Sequence, residues 1–501
     1  MRVERWDVFE LSFQGPREGN PFVEQWLCGQ FHNRNETVQV QGFYDGEGVY
    51  RLRFMPSFEG SYTYQTSGSF PQAESAGSFL VTPAGAGNHG PVRVANGHHF
   101  AYEDGTPYYP VGSTCYAWVH QADALRQRTL ETLSKGYFNK LRFCVFPKHY
   151  IHNLKDPVSF PYEGTPVDAS GLTEEDVAYS LEFPGNRWDF TRFQPEHFRR
   201  LDRAILQLRD LGIEADLIAM HPYDRWGFSA MDRAADDLYW NYLIARFSAY
   251  RNLWWSLANE YDLMQAKTLE DWEHYAALLC EKDPVRHLRS VHNCVEFYDY
   301  SRPWVTHCSM QRQDLYRHVE YTDAYRVRYG KPVVWDEIAY EGNLDMGWGN
   351  ISGQELTRRF WEASLRGGYA GHGETYLDPE NDQLWWSHGG ELRGESPARL
   401  RFLHRILCQT PGLGLRRGEG SFDEVVGVPD APLYRDGYEI HYYGFGRPSF
   451  RTFQKEAGAR YRAEVIDTWN MTVEDAGVHA GRFRIPLPGR EYMAIRLVRE
   501  A

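Results

Sequence analysis

Between residues 93 and 410, short apolar runs alternate with segments that have the spacing of amphipathic helices. One such segment, PEHFRRLDRAILQLRDLG, repeats apolar side chains along one helix face, starts with Pro195 and ends at Gly212, as helices commonly do. Eight runs predict strands, at 108–114, 138–146, 213–220, 252–260, 288–293, 304–309, 332–337 and 367–376. Strands and helices that alternate in this number predict a parallel (β/α)8 barrel, the TIM-barrel fold of the α/β class.

Two β-rich segments flank this alternating region in the 501-residue chain. The chain exceeds what one hydrophobic core supports, since single cores stop growing beyond roughly 250–300 residues. Residues 1–88 alternate polar and apolar positions and end in the Gly/Pro-rich stretch PAGAGNHGP, and residues 411–501 show a similar strand-and-turn pattern. We therefore predict an N-terminal β-sandwich (1–88), a barrel (93–410) and a C-terminal β-sandwich (411–501).

The overall charge is acidic, with 54 Lys and Arg against 68 Asp and Glu, a net charge of −14. This balance argues against a nucleic-acid partner, because such proteins usually carry a basic surface. The seven cysteines are odd in number and lack a CxxC pair, which favours free thiols in a reducing compartment. The N-terminus lacks the pattern of a signal peptide, and no apolar run approaches the roughly 20 residues of a membrane span. We expect a cytoplasmic protein without membrane contact.

Two of the apolar runs end in a carboxylate, Glu260 in NLWWSLANEYD and Glu337 in KPVVWDEIAYEG. Barrel enzymes carry their chemistry at the carboxyl ends of the strands, and glycoside hydrolysis needs one acid and one nucleophile. Aromatic surroundings would raise the pKa of Glu260 and make it the acid, although an Asn-Glu pair at a helix start is the alternative. Glu337 is the predicted nucleophile, and strand alternation would then direct Asp336 toward the surrounding helices or loops.

Several polar residues near other strand ends are candidates for substrate binding. Asn259 is predicted to donate a hydrogen bond to a sugar 2-hydroxyl. Arg142 is predicted to keep Glu337 ionised, with a structural ion pair as its alternative. The strand-end histidines include His221, His292 and His307. A metal site is one interpretation, but these residues lie on separate strands without a HExxH pattern. We therefore expect no metal, and neutral imidazoles that contact sugar hydroxyls, orient the carboxylates or pack in the core.

Aromatic residues just beyond the strands could stack on a sugar ring. Trp118 and Trp386 are the candidates, with core packing as the alternative for each; Trp386 lies in NDQLWWSHGGEL, which does not resemble a regular core element. Glu374 is a further acidic group expected near the barrel mouth. The long connection at 147–195 is predicted to be a pocket wall, or else a surface excursion with its own small core.

Five motifs together resemble those of a known enzyme family. They are GTPYYPVGSTCYAW near the first strand, WDFTRFQPEHF before a barrel helix, and WWSLANEYD, LRSVHN and VVWDE at the fourth, fifth and seventh strands. Over essentially its whole length the chain resembles glycoside hydrolases built from DUF5060, DUF4038-like and DUF5605 domains. Its barrel resembles the apiosidase-like group of clan A.

The resemblance implies roles for individual residues. In clan A the acid/base is a Glu that follows Asn at the end of strand four, here Glu260, and the nucleophile is a Glu at the end of strand seven, here Glu337. The reaction is then expected to retain the anomeric configuration through a covalent glycosyl-enzyme intermediate. Clan A members often have a tyrosine or histidine near strand six that contacts the nucleophile. The segment WVTHCSMQ offers only His307, so we assign that contact to His307.

These observations predict a retaining, exo-acting glycosidase with a carbohydrate substrate and no cofactor. The exo preference is inferred from the long connection after the second strand. The sandwiches are expected to close part of the pocket or to mediate self-association as a homo-oligomer. Three alternatives remain: a non-catalytic sugar-binding or scaffold barrel, a metal-dependent hydrolase that uses the histidines, and a transglycosidase that uses the same site.

Overall fold

A computed structural model describes residues 1–173, 185–434 and 437–500 of the chain. At the N-terminus, two β-sheets pack face to face. The elements are β1 (Arg2–Glu4), β2 (Phe9–Gln14), α1 (Pro21–Glu24), β3 (Leu27–Asn33), β4 (Glu36–Gln41), β5 (Phe43–Tyr44), β6 (Val49–Phe54), β7 (Gly60–Gly68) and β8 (Ser75–Thr82). One sheet has the order β1-β8-β7-β3-β4 and the other β2-β6-β5. Stacked rings fill the space between them: Phe9 lies 3.8 Å from Phe79, and Phe31 lies 4.3 Å from Phe54.

The central region contains the barrel and the segments attached to it. Its strands are β9 (Val92–Ala95), β10 (His99–Tyr102), β11 (Pro107–Tyr108), β12 (Val111–Thr114), β13 (Lys140–Cys144), β14 (Tyr162–Thr165), β15 (Arg187–Phe193), β16 (Glu214–Met220), β17 (Leu253–Ala258), β18 (Arg289–Ser290), β19 (Cys308–Met310), β20 (Val333–Trp335), β21 (Glu341–Gly342), β22 (Tyr369–His372) and β23 (Glu374–Thr375). Its helices are α2 (Asp123–Leu133), α3 (Pro195–Asp210), α4 (Arg233–Phe247), α5 (Leu269–Lys282), α6 (Thr322–Tyr329), α7 (Gly353–Leu365) and α8 (Ser396–Leu407).

No helix in the described ranges is long and apolar enough to cross a membrane.

Eight parallel strands form the barrel in the order β18-β17-β16-β13-β12-β22-β20-β19. A parallel bridge between His292 and Ser309 brings the two end strands together. Each of the eight predicted strands overlaps one of these, so the predicted barrel is confirmed. The predicted helix is confirmed as α3, whose face residues Phe198, Leu201 and Ile205 are fully buried.

The amino-terminal end of the barrel is closed by a small antiparallel sheet with the order β11-β10-β9. From this sheet Phe100 packs against Trp254 at 5.1 Å and against Tyr369 at 5.3 Å. Aromatic rings therefore fill the bottom of the barrel, which leaves the carboxyl ends of the strands to form a pocket.

The connection at 147–195 packs against the barrel, so it does not have a separate core in the described residues. Tyr162 of β14 and Phe193 of β15 belong to the buried cluster of the barrel, and the Tyr162 ring lies 5.7 Å from Phe228. Tyr150, nearer the start, packs 5.8 Å from Trp386 at the barrel mouth. Residues 174–184 of this connection lie outside the described residues.

The C-terminal region is again all β in the described ranges. Its strands are β24 (Leu415–Arg417), β25 (Val425–Pro429), β26 (Tyr438–Tyr442), β27 (Phe450–Gln454), β28 (Arg460–Asp467), β29 (Thr472–Ala480), β30 (Arg482–Pro486) and β31 (Met493–Arg499). A sheet with the order β24-β25-β26-β31-β28-β29 faces the pair β27-β30 across a core that includes Ile485 and Ile495. Flanking β parts on both sides of the barrel are thus confirmed, and domain boundaries at 88–93 and near 410 remain our proposal.

A buried ion cluster joins the N-terminal sandwich to the barrel helices. The carboxylate of Asp202 in α3 forms ion pairs with the guanidinium groups of Arg53 in the sandwich, at 2.7 Å, and of Arg246 in α4, at 2.6 Å. Arg246 reaches back to Asp45 of the sandwich at 2.9 Å, and the Tyr250 hydroxyl donates to Asp202 at 2.9 Å. Burial alone would raise the pKa of Asp202, but the two guanidinium groups hold it below its ordinary value.

We expect Asp202→Asn to lower the free energy of unfolding by about 3 kcal/mol, because it leaves two buried guanidinium groups without their shared carboxylate. The loss should be measured by urea unfolding at pH 7. The ion cluster contributes fully above the ordinary carboxyl pKa of about 4, and its contribution declines as the pH falls through the lowered pKa of the folded state.

The matched control is Asp210→Asn at the exposed end of the same helix, where the carboxylate pairs with Arg209 on the surface. That substitution should change stability by less than about 1 kcal/mol. Equal losses in the two variants would contradict the role given to the buried cluster.

Candidate active site

The two predicted carboxylates both lie just beyond the carboxyl ends of barrel strands. Glu260 follows β17 by two positions, and Glu337 follows β20 by two positions. Glu260 has left-handed backbone angles, φ 52° and ψ 57°, a strained conformation for a residue with a side chain and one that recurs at functional sites. Glu260 is 6% exposed, whereas the side chain of Glu337 is 14% exposed. The carboxyl group of Glu260 is therefore largely excluded from solvent, whereas that of Glu337 is more accessible.

A short chain of polar contacts links the two carboxyl groups. The Tyr116 hydroxyl donates a hydrogen bond to Glu337 Oε1, and it also lies 3.2 Å from Asn259 Oδ1. The amide nitrogen of Asn259 donates to Glu260 Oε2 at 3.4 Å. Tyr116 follows β12, so three barrel strands contribute to this chain of contacts. The two glutamates therefore share one site.

Glu260 is held by donors on both of its oxygens. The Tyr223 hydroxyl donates to Oε2, and Gln311 Nε2 donates to Oε1 at 2.6 Å. Burial and the nearby charge of Glu337 raise the pKa of Glu260 to about 7, although these two donors act in the opposite direction. At neutral pH a large share of Glu260 therefore keeps its proton, as a general acid must.

Glu337 has cationic and neutral neighbours on its other side. Arg142 Nη1 lies 3.8 Å from Glu337 Oε1, and His292 Nδ1 lies 3.9 Å from the same oxygen. Burial holds the pKa of His292 well below its ordinary value, so its ring is neutral. Arg142 also donates to Asn259 Oδ1 at 3.1 Å. The prediction that Arg142 faces Glu337 is consistent with this geometry.

A second layer of charge lies beneath the carboxylates, inside the barrel. Lys140 Nζ lies 2.8 Å from Asp336 and 2.5 Å from Asp216. Arg142 Nε lies 3.6 Å from Asp216 and 3.8 Å from Asp336, so it takes part in a structural ion pair as well. Burial alone would lower the pKa of Arg142, but these carboxylates hold it above its ordinary value.

The expectation that Asp336 points to the surrounding helices was wrong. Within β20 the alternation is regular: the Trp335 indole faces outward and donates to Thr322 of α6, and Asp336 follows on the inner face. The strand ends at Trp335, however, so the alternation no longer governs Glu337. Both acidic side chains therefore point toward the barrel axis, at different depths.

Two of the predicted histidines have other roles than contact with sugar. His307 packs edge-on against Trp254 at 5.1 Å and Phe100 at 6.0 Å, at the closed end of the barrel. The contact to Glu337 that was assigned to His307 is made instead by Tyr116. His221 contacts the Phe146 carbonyl through Nε2 at 3.2 Å and accepts the Tyr223 amide proton at Nδ1 at 3.2 Å, so it holds the loop that carries Tyr223. Among the described residues, no group of three His, Cys, Asp or Glu side chains could hold a metal ion.

The two predicted tryptophans separate into one site residue and one core residue. Trp386 lies at the site, with its ring 5.6 Å from Tyr116 and 5.1 Å from Trp348. Trp118 is fully buried behind the strands against Phe143 at 5.9 Å, so its predicted role in substrate binding was wrong.

Glu374 is a structural residue rather than a free acid at the mouth. Its two oxygens accept the backbone amide protons of Arg393 at 2.7 Å and Gly394 at 2.8 Å. Burial raises the pKa of Glu374 to about 7. The side chain therefore anchors the loop before α8, and the predicted contact with substrate was wrong.

Four site residues were missed or given no specific role by the sequence reasoning: Tyr116, Lys148, Tyr223 and Gln311. Each follows a barrel strand by one to four residues. Polar and aromatic residues immediately beyond strand ends are therefore the signal that could have identified them.

Comparisons with known proteins support the resemblance seen in the sequence. Residues 94–387 match the family described as apiosidase-like, catalytic domain, and the flanking segments 2–69 and 424–498 match the DUF5060 and DUF5605 domains. A candidate glycoside hydrolase from Bacteroides vulgatus has 37% sequence identity, covers 100% of both chains and superimposes with a TM-score of 0.90. A family 5 glycoside hydrolase from the same organism shares the fold, with a TM-score of 0.61 at 15% identity over 82% of this chain and 94% of its own. No curated protein matches the chain.

We expect the carboxyl group of Glu260 to titrate with a midpoint near pH 7, and the midpoint to move to higher pH in Tyr223→Phe. The phenol stabilises the ionised carboxylate, so its loss favours the protonated form. The measurement is a carboxyl ¹³C NMR titration of glutamate-labelled protein, with the signal assigned by its loss in Glu260→Gln.

The matched control is Tyr239→Phe, which removes a buried hydroxyl that donates to the Ala219 carbonyl at 2.7 Å, outside the carboxylate pair. It should leave the midpoint unchanged. A midpoint in Tyr223→Phe at or below that of the unmodified protein would contradict the proposed contact.

Proposed function

We propose that this chain, which belongs to the family of apiosidase-like catalytic domains and is a glycoside hydrolase, removes a terminal sugar with retention of anomeric configuration. The observation that carries the proposal is the pair Glu260 and Glu337, joined through Tyr116 and Asn259 at the carboxyl end of the barrel. Double displacement requires two carboxyl groups about 5–5.5 Å apart across one glycosidic bond, and a shared chain of contacts of this kind suits that arrangement.

The unequal surroundings of the two glutamates support their division of labour. In the first step Glu337 attacks the anomeric carbon, the glycosidic bond breaks, and Glu260 gives its proton to the departing oxygen. In the second step Glu260, now ionised, takes a proton from water, and that water displaces Glu337 from the sugar. The Tyr116 hydroxyl donates to Glu337 Oε1, and Arg142 Nη1 lies 3.8 Å from the same oxygen, so both hold the carboxyl group that attacks. No step of this mechanism uses a metal or a cofactor.

Asn259 is suited to orient the sugar. Its amide oxygen accepts a hydrogen bond from Arg142 at 3.1 Å, and its amide nitrogen donates to Glu260. An amide nitrogen has two protons, so Asn259 can donate one to Glu260 and the other to a 2-hydroxyl group of the sugar. The contact with the 2-hydroxyl group strengthens in the transition state.

Enclosure of the site supports exo action. Tyr116, Lys148 and Glu260 are 1%, 2% and 6% exposed. Site residues with so little exposure suit the end of a glycan better than its middle, since an internal sugar needs an open cleft on both sides. The family name makes apiosides the first compounds to test.

The activity should appear on a panel of aryl glycosides that covers apiofuranosides, other pentofuranosides, pentopyranosides and hexopyranosides in both anomers. For the substrate that reacts, Glu337→Gln should lower kcat about 1,000-fold or more, since the covalent step is lost. Glu260→Gln should lose far more activity on a phenyl glycoside than on a dinitrophenyl glycoside, because only the poorer leaving group needs a proton. Proton NMR of the first product should show retention.

The matched control is Glu374→Gln at the same end of the barrel; among the described residues this buried carboxyl group bonds only to backbone amides, so the variant should keep most of the activity. Inversion at the anomeric carbon would exclude double displacement. Binding of glycosides without turnover would favour a non-catalytic barrel, and transfer of the sugar to an added alcohol in preference to water would favour a transglycosidase.

The kcat/KM of the enzyme should fall as the pH rises through about 7. Glu260 must be protonated in the free enzyme to act as the acid, and its pKa is raised to about 7. The measurement is kcat/KM for a phenyl glycoside between pH 5 and 9, values chosen to bracket the expected pKa by about two units on each side. An alkaline limb that begins only above pH 9 would rule out Glu260 as the proton donor.

A further inference from the structure

Lys148 is a buried cation at the site that the mechanism above does not use. It is 2% exposed, and its ammonium group has no hydrogen-bond or ion-pair partner in the described ranges. Aromatic faces surround it instead: Nζ lies 3.9 Å from the ring centroid of Tyr116, 4.0 Å from Trp386 and 4.1 Å from Tyr223. Tyr150 adds a fourth ring at 5.1 Å.

Aromatic rings alone are a weak substitute for water around an ammonium group. Cation–π contacts replace only part of the hydration that an ammonium group loses on burial. Nearby negative charge adds to the stabilisation. Two of the three closest rings belong to Tyr116 and Tyr223, whose hydroxyls bond Glu337 and Glu260 respectively. The geometry therefore places the ammonium group near both carboxyl groups without a direct bond to either.

The other titratable groups near Glu260 and Glu337 carry little positive charge that is not already paired with other carboxylates. They are Arg142, His292, Tyr116, Tyr223, Tyr340, Cys144 and Cys294. Burial keeps the imidazole neutral, and it raises the pKa values of the phenols and of the two thiols, so these groups are neutral as well. The charge of Arg142 is shared with Asp216 and Asp336 below it. Among the described residues, Lys148 is thus the cation near Glu260 and Glu337 that has no other carboxylate to neutralise it.

We propose that Lys148 is a positioning residue for charge: its ammonium group, held on the faces of Tyr116 and Tyr223, is the through-space counter-ion that favours the ionised forms of Glu337 and Glu260. The inference rests on the proposed function for its catalytic meaning, but the electrostatic effect itself does not require turnover. Burial lowers the pKa of Lys148 to about 8, while Cys144 and the two glutamates act in the opposite direction, so the amine is still largely charged at neutral pH.

The counter-ion has a different effect on each step of the reaction. It favours the nucleophilic form of Glu337 before attack. Once Glu260 has given up its proton, it also lowers the free energy of the resulting carboxylate, which then acts as the base toward water. Because the ammonium group is held by rings instead of by a salt bridge, it does not occupy the oxygen atoms that react.

The test removes the charge of Lys148 and keeps a side chain of similar shape. In Lys148→Met, carboxyl ¹³C titrations of the full chain should show the Glu260 midpoint moved to higher pH by about one pH unit, the lower end of what a nearby opposite charge produces. The Glu260 signal is assigned by its loss in Glu260→Gln. Lys148→Arg, which keeps the charge, should restore the Glu260 midpoint toward that of the unmodified protein.

The matched control is Lys155→Met, which removes a lysine from the same connection, where it is exposed and paired with Asp382 at 3.1 Å; it should leave the Glu260 midpoint unchanged. Thermal melting establishes that each variant is folded, and Lys148→Gln replaces the methionine variant should that one fail to fold. An unchanged Glu260 midpoint in a folded, uncharged variant would overturn the proposal and make Lys148 a packing residue. Because the titration needs no substrate, a protein without hydrolytic activity that still shows the shift would refute the proposed function alone.

Discussion

Pairing of buried charge inside the barrel is the constraint on which the site depends. Charged side chains lie at successive depths: Lys140 with Asp216 and Asp336, then Arg142 above them, then Glu337 at the mouth. A buried charge without a partner is costly, so each layer fixes the position of the next. Arg142 lies between the two aspartates below it and the residues Asn259 and Glu337 above it, so it links the two layers.

Two glutamates of the same chemistry acquire different properties from their surroundings. Glu260 lies deeper, and burial together with its neighbour Glu337 raises its pKa to about 7. Glu337 is more exposed and lies beside Arg142 and the Tyr116 hydroxyl. Opposed environments for a pair of carboxyl groups are the usual way in which one becomes an acid and the other a nucleophile. The aromatic residues contribute to this difference twice, through hydroxyl groups that bond the carboxylates and through ring faces that hold Lys148.

The parts of the chain outside the barrel interior leave one end free for chemistry. Phe100 and its sheet fill the amino-terminal end, and the N-terminal sandwich is anchored to α3 and α4 by the ion cluster around Asp202. The loops at the opposite end carry Tyr116, Lys148, Tyr223 and Trp386. Stability and chemistry are thus placed at different ends, as is general for barrels of this kind.

The sequence by itself determined the barrel, its flanking β parts and the two strand ends that carry Glu260 and Glu337. Periodicity reports local structure, and a buried parallel strand that ends in a carboxylate is a local pattern. It also indicated Trp386, whose segment lacks the pattern of a regular core element. The depth of each side chain cannot be read from the sequence: Trp118, Glu374 and His307 occur in similar local contexts, yet Trp118 lies in the core, Glu374 in the short strand β23 bonded to a loop, and His307 at the closed end of the barrel. Only the tertiary structure decided that Tyr116 contacts Glu337 and that rings from three distant segments enclose Lys148 together with the nearby Tyr150, because such contacts depend on how separate strands and loops meet around one axis.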